Sequence, residues 1–439
     1  MRGGGVGCTV VTSDVPAHLV ARTREVGDVS DLLQRLPADA PGREISAWVR
    51  GGDGLVGWGR VAGIATCGAS RFCDAELWWR DTIAEAEIHD EVGVVGSGPI
   101  AFGSFAYSVD SHEESMLVVP RVVLGRRDGR CFVTTTTWST GTAVSSADTA
   151  VVPDPQPAPQ GPGVVTFADG ALPGPAYETA VAEAVRRITA GDLDKVVLAR
   201  DLLAEAERPI DPRFLLHRLA ESYANTWVFA VDGLVGATPE MLVRLERGLV
   251  TSRILAGTIR RTGDDERDLA LAASLARSSK DLEEHEYAVR SVADVIARFC
   301  TSVNTPESPF VLHLPNVMHL ATDVAGRLTN GASVLSLAQA LHPSAAVCGT
   351  PKPAAEAVIT ELEHMDRARY AGPVGWIDAH GDGEWGIALR SGAVDPDGHH
   401  MRLFAGCGIV AGSDPASELA ESDAKLVPMR TALAGEERT

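Results

Sequence analysis

Paired cysteines are missing from this chain. Its seven cysteines (Cys8, Cys67, Cys73, Cys131, Cys300, Cys348 and Cys407) are odd in number, scattered, and nowhere spaced as CxxC or as metal ligands. That excludes a zinc ribbon and argues against a disulfide framework, so reduced buried thiols are expected. No apolar run approaches the ~20 residues that span a bilayer. The opening MRGGGVGCTVVTSDVPAHLV has no uninterrupted apolar stretch of a signal peptide. Positive charge is scarce: 39 Lys and Arg face 59 Asp and Glu, and the net −20 argues against binding a nucleic-acid backbone. The expectation is a cytoplasmic protein without nucleic-acid or membrane partners. An anionic substrate would then need a locally positive site or a metal.

What is present is a core. Hydrophobic residues make up 45% of the 439, which excludes a disordered chain. One connector stands out, VVPDPQPAPQGPG at 151–163, where five prolines forbid regular helix. It divides a strand-rich part, 1–150, from a catalytic region, 164–439. In the first part, 55–64, 99–108, 115–125 and 130–138 read as strands and 76–89 as a helix. In the second, helices are expected at 177–191, 211–222, about 265–300, 333–342, 354–366 and 415–433. Strands are expected at 195–205, 227–233, 234–248, 311–328 and 401–412, with a hairpin over 373–394 whose turn is Gly-Asp-Gly. Strict βαβ alternation is absent. The pattern predicts an α+β fold, one large domain with two mostly antiparallel sheets flanked by helices.

Several constellations could carry chemistry. In the C-terminal segment, Gly406 and Gly408 read as a glycine-lined turn where backbone N–H groups can approach an anion. Ser413 or Asp414 can cap the helix that follows. Glu418, Glu421 and Lys425 share one face of it, either as a solvated face with an internal Glu–Lys pair or as part of a site. Upstream, Asp281 and Glu284 stand one turn apart near a helix start, where acids also simply complement the dipole. Two such acid-bearing helices facing each other would suit Mg²⁺. HEYAV lacks the second histidine of an HExxH zinc site. Lys195 shares a strand face with Val197 and Ala199, so it is either at a rim or buried as a base. Pro239 presents Glu240 between apolar neighbours, as a general acid or as an ordinary edge acid. LAGTIRR (255–261) offers a glycine, a hydroxyl and two guanidiniums, and Arg390 can grip a carboxylate.

Taken in order, DKVVLAR, GATPEMLV, LAGTIRR, SSKDLEEHEYAV, HPSAAVCGTPK, DRARYAGPVGW, ALRSG and AGCGIVAGSDPASELAESDAK resemble the chorismate-utilising enzymes. That family includes isochorismate, salicylate, anthranilate and aminodeoxychorismate synthases. The resemblance runs from about 175 to 433 and is loose before that. It implies a Mg²⁺ ion held by Glu284 and Glu421, with Asp281 and Glu418 in support. It implies chorismate as substrate, its ring carboxylate met by Lys425 and by the backbone at Gly406 and Gly408. Tyr370 and Arg390 fall where the enolpyruvyl carboxylate would lie, and Gly257, Thr258 and His319 at further site positions. Lys195 would be the base and Glu240 the acid. Ammonia-using members typically carry a neutral side chain where Lys195 stands, so water is the expected nucleophile, isochorismate the product, and no glutaminase subunit is needed. Members that go on to salicylate place threonine where Ala346 stands. Salicylate synthase is the alternative within the family; a non-catalytic chorismate binder is the alternative outside it. Nothing demands more than a monomer.

Overall fold

A computed structural model describes residues 18–139, 152–314, 317–329 and 331–434, without the side chains of Lys280 and Glu284. The chain opens with β1 (His18–Val26), β2 (Ser46–Arg50) and β3 (Asp53–Thr66), then α1 (Arg71–Ala84), β4 (Glu87–Asp90), β5 (Ile100–Ser104), β6 (Ser115–Arg127) and β7 (Arg130–Ser139). Beyond the connector come β8 (Val165–Asp169), α2 (Gly174–Ala190), β9 (Lys195–Ala206), α3 (Pro212–Ser222), β10 (Trp227–Val231), β11 (Leu234–Thr238), β12 (Met241–Glu246) and β13 (Leu249–Arg260). Then follow α4 (Asp265–Leu275), α5 (Ser279–Ile296), β14 (Cys300–Asn304), β15 (Phe310–His313), β16 (Val317–Leu328), α6 (Val334–Leu341), β17 (Gly349–Thr350) and α7 (Lys352–Glu363). The chain closes with β18 (Pro373–Asp378), β19 (Gly383–Ile387), β20 (Ser391–Val394), β21 (His400–Ile409) and α8 (Pro415–Ala434).

The strands form two antiparallel wings. One runs β3, β2, β10, β11, β20, β21, β9. The other runs β5, β18, β19, β12, β13, β16. Strand β6 pairs with β3 of the first and β5 of the second, so one hydrogen-bonded network joins them. Among the described pairings only β1 with β4 is parallel. Because β2 pairs with β10 and β5 with β18, the segments before and after the connector build the same sheets. The connector itself lies along the N-terminal segment, where Gln156 N–H donates to Gln34 O at 2.7 Å and Arg35 Nη1 to Pro153 O at 2.9 Å. Helices α5 and α6 cover the second wing; α2, α7 and α8 cover β9 and β21. No helix among the described residues is long and apolar enough to cross a membrane. The six described cysteines are free thiols; Cys8 lies outside the described residues.

Four expectations are corrected. The helix expected over 76–89 ends at Ala84, because Glu87–Asp90 is taken into the sheet beside β1. The helix expected from 265 to 300 is two. Ser278 Oγ accepts from Asp281 N–H at 3.3 Å and so starts a new helix one turn after the old one ends. The strand expected over 311–328 is the antiparallel pair β15–β16. The hairpin expected over 373–394 closes at Ile387. The chain then passes through Arg390 at φ +48° to β20, which joins the other wing.

Candidate active site

The two wings meet at a pocket of about 280 Å³. Lys195 and Val197 of β9 and Gly406 and Gly408 of β21 form one wall. The two glycines are strand residues paired with Ala199 and Val197, not the turn expected from the sequence: the apolar run around them extends the ladder with β9. A side chain at Gly406 would bring its Cβ to 2.9 Å from Leu198 O, so the wall can be this flat only with glycine. Opposite, β13 carries a bulge between Ala256 and Thr258. Gly257 fills it at φ +75°, and a Cβ there would lie 3.2 Å from the Asp281 Cβ. The bulge sets Thr258 across from His319 on β16, and the two share a hydrogen bond of 3.0 Å.

Glu240 sits where β11 gives way to β12 after Pro239. Its N–H donates to Thr238 Oγ1 at 3.2 Å and its carbonyl accepts from Ile387 N–H, which fixes the backbone and leaves the carboxyl lining the pocket. Burial pushes that carboxyl up to about 8, against the pull of Lys195, Arg390 and Lys425. Glu240 is therefore largely protonated at neutral pH. His319 moves the other way: burial, then the charges of Arg390 and Lys425, bring it down to about 3, so its ring is neutral. Its Nε2 is buried with no hydrogen-bond partner among the described residues. Arg390, placed by the crossover between wings, is buried against the same space, as is Tyr370, whose ring stacks on Phe404 at 5.0 Å. Burial raises the Tyr370 phenol and lowers the Arg390 guanidinium.

The acidic side of the pocket comes from α8 and α5. Asp414 Oδ1 accepts from Ser417 N–H at 2.9 Å and caps α8, which turns Glu418, Glu421 and Lys425 inward together. Lys425 Nζ donates to Gly406 O at 2.9 Å and lies 2.6 Å from Glu421 Oε1. Burial opposes charge on both, yet Glu421 pushes Lys425 up to about 12, and Lys425 holds Glu421 below the usual carboxylate range. Ligand atoms of Cys407, Glu418 and Glu421 lie within 4.8 Å of one another. Asp281 lines the same pocket. Glu284 is on α5 one turn further along, but its side chain lies outside the described residues.

Ala346 lines the pocket from the loop before β17. Arg260 and Arg261 do not line it; Arg261 is spent on Asp268, Nε to Oδ2 at 2.7 Å. His285 bonds Thr322 Oγ1 at 2.7 Å on the core side of α5, and Tyr287 is exposed. Sequence reasoning missed two members. Cys407 was set aside as one more buried thiol, although it lies between the two glycines. Arg367 lines the pocket from DRARYAG, a segment from which only Tyr370 was singled out.

With this geometry in view, the likenesses to known proteins carry weight. The family described as chorismate binding enzyme matches residues 17–434. Isochorismate synthase MenF of Bacillus subtilis is 34% identical over 386 residues, 83% of this chain and 81% of the relative. Among solved structures, MenF, the menaquinone-specific isochorismate synthase from Escherichia coli, superposes with a TM-score of 0.77 at 25% identity, with 96% of each chain covered. Anthranilate synthase component I from Streptococcus pneumoniae shares the fold, with a TM-score of 0.66 at 21% identity over 97% of this chain and 94% of its own. A match over nearly the whole length, on a pocket of this composition, places the chain in the chorismate-binding enzyme family.

Proposed function

We propose that this protein is an isochorismate synthase, which adds water at C2 of chorismate and expels the C4 hydroxyl. The observation that carries the reading is Glu240, a carboxyl held largely protonated at neutral pH in the same pocket as the amine of Lys195. An acid and a base on different walls are what this reaction requires. In its unprotonated form Lys195 takes a proton from water as the water oxygen bonds to C2. The two ring double bonds shift, the C4–O bond breaks, and Glu240 protonates the departing oxygen. One water enters and one leaves, so the result is an isomerisation. Arg390 and Tyr370 hold the enolpyruvyl carboxylate, and Lys425 with the flat glycine wall receives the ring carboxylate. Gly257, Thr258 and the neutral ring of His319 complete the substrate's polar surroundings.

The acidic side also suits Mg²⁺. Asp281, Glu418 and Glu421 offer hard oxygen donors on one pocket, the set this ion prefers. The neighbouring thiol of Cys407 is pushed up by burial to about 12. Glu421 and Glu284 would hold the ion, with Asp281 and Glu418 supporting it directly or through water. Bound there, Mg²⁺ supplies charge neutralisation for the ring carboxylate beside two helices of acids. Water as nucleophile leaves no role for a glutaminase subunit.

The test is product identification by NMR after incubation with chorismate and Mg²⁺. Isochorismate is expected; salicylate and pyruvate would instead support the salicylate synthase reading that Ala346 argues against. The Lys195→Ala variant should lose turnover while still binding chorismate. Full activity in that variant would remove the water-activation mechanism.

A further inference from the structure

Arg367 is buried to 3% exposure and pairs with Glu363, itself at 1%. The pair is bidentate, Nε to Oε2 at 2.9 Å and Nη2 to Oε1 at 2.5 Å. Two further guanidinium hydrogens reach the main chain. Nη2 donates to Val197 O at 2.7 Å, and Nη1 donates to Val347 O at 2.8 Å. Glu363 Oε1 also accepts from Ala199 N–H at 2.7 Å. One ion pair therefore grips the backbone of β9 at Val197 and Ala199, just past Lys195, and the backbone of the loop next to Ala346. Lys195, Val197, Ala346, Val347 and Arg367 all line the pocket.

Holding the strand and loop together does not by itself require a charged pair here. The strand and loop are already laced by main-chain bonds: Val197 N–H donates to Cys348 O at 2.7 Å, and Gly349 and Thr350 pair with Val196 and Lys195. A fully buried ion pair adds little net stability over apolar residues of the same size. What it adds is direction, because a planar guanidinium fixes three acceptors at set angles. We propose that the Glu363–Arg367 pair is a positioning device that sets the separation between the Lys195 strand and the Ala346 loop, and so places the base against the ring. This role rests on the reading of Lys195 as the base. Arg367 is a positioning residue, not a catalytic one.

The test uses the full chain with chorismate and Mg²⁺, measuring kcat, KM and thermal midpoint for Arg367→Lys and for the double variant Glu363→Met with Arg367→Met. Lysine keeps the charge and loses the fork. The double variant removes both charges but leaves Val197 O, Val347 O and Ala199 N–H without these partners, so its thermal midpoint should fall. In both variants kcat should fall on the order of 10²-fold, the cost of a small misplacement, while KM stays within about threefold. Wild-type kcat in either folded variant overturns the proposal: the pair would then be structural only. If the double variant does not fold, Arg367→Lys decides alone. If the wild type leaves chorismate untouched, the functional reading falls and this role with it, a result distinct from normal turnover in the variants.

Discussion

Two glutamates at the two ends of one ladder face opposite fates. Glu240 ends the connection into β12, and Glu384 lies opposite Arg244 on the paired strand β19. They are equally buried, at 6% and 5% exposure. Burial raises the Glu240 carboxyl to about 8 because its cationic neighbours offset only part of the cost. Burial works on Glu384 as well, but Arg127 and Arg244 and the indole of Trp48 outweigh it and hold that carboxyl below its usual range. Arg127 Nη2 is 2.9 Å and Trp48 Nε1 2.7 Å from its oxygens. Depth alone does not keep a carboxyl protonated; depth without directed partners does.

The largest effect should come from Glu240→Gln. Loss of a general acid costs about 10²- to 10⁴-fold in kcat, and a variant with wild-type turnover would transfer the acid role elsewhere. The sign of the pH dependence follows from the raised value. Glu240 contributes stability that is complete below about 4.5 and is lost as pH rises through about 8. At 1.36 kcal/mol per unit, the loss is on the order of 5 kcal/mol. Above pH 8 the glutamine variant should therefore melt higher than the wild type, and wild-type activity should decline there as the carboxyl ionises.

Glu384→Ala should do the reverse. It breaks a buried pair, at a cost of about 3 kcal/mol in stability, and leaves turnover per folded molecule unchanged. Because the folded value is depressed, Glu384 contributes stability that is present above about 4.5 and lost as pH falls through the lower folded value. Urea melts of the wild type and both variants between about pH 2.5 and 9 would show two opposite slopes. A kinetic defect at Glu384 would erase the contrast.

The sequence made one of these glutamates visible and not the other, for a physical reason. Pro239 beside Glu240 is a local break in a strand, readable within a few residues. The partners of Glu384 lie 336 and 257 positions away, at Trp48 and Arg127. No local pattern announces them. Arg367 was hidden only in part the same way: Glu363 is four positions away and Val347 twenty, but Val197, on the Lys195 strand, is 170 away. The inward face of α8 was readable from helical spacing, and the α+β class from mixed strand and helix periods. Gly406 and Gly408 misled, because glycines that flatten a strand look the same in one dimension as glycines that form a turn. The break before α5 was missed because Ser278 reads as an ordinary polar residue until its hydroxyl is seen to cap.

On the acidic side the comparison sharpens again. Glu421 is a carboxyl whose partner, Lys425, is present, yet it also faces the pocket. Glu421→Gln should leave folding intact and raise the Mg²⁺ concentration needed for half-maximal chorismate binding by about tenfold or more, an effect typical of disturbing a metal's coordination. An unchanged titration would place the ion elsewhere.

The smallest effect should come from Gly257→Ala, and it needs a matched control. Gly257 at φ +75° and Gly191 at φ +86° carry the same left-handed backbone. Nothing lies within 4 Å of a Cβ at Gly191, which closes α2, whereas a Cβ at Gly257 meets the Asp281 Cβ at 3.2 Å. Both alanine variants should lose about 1 kcal/mol of stability from backbone strain. Only Gly257→Ala should also weaken the Mg²⁺ dependence of chorismate binding, because relief of the contact moves Asp281. If the two variants shift that dependence alike, backbone strain explains both, and the bulge does not position the acid.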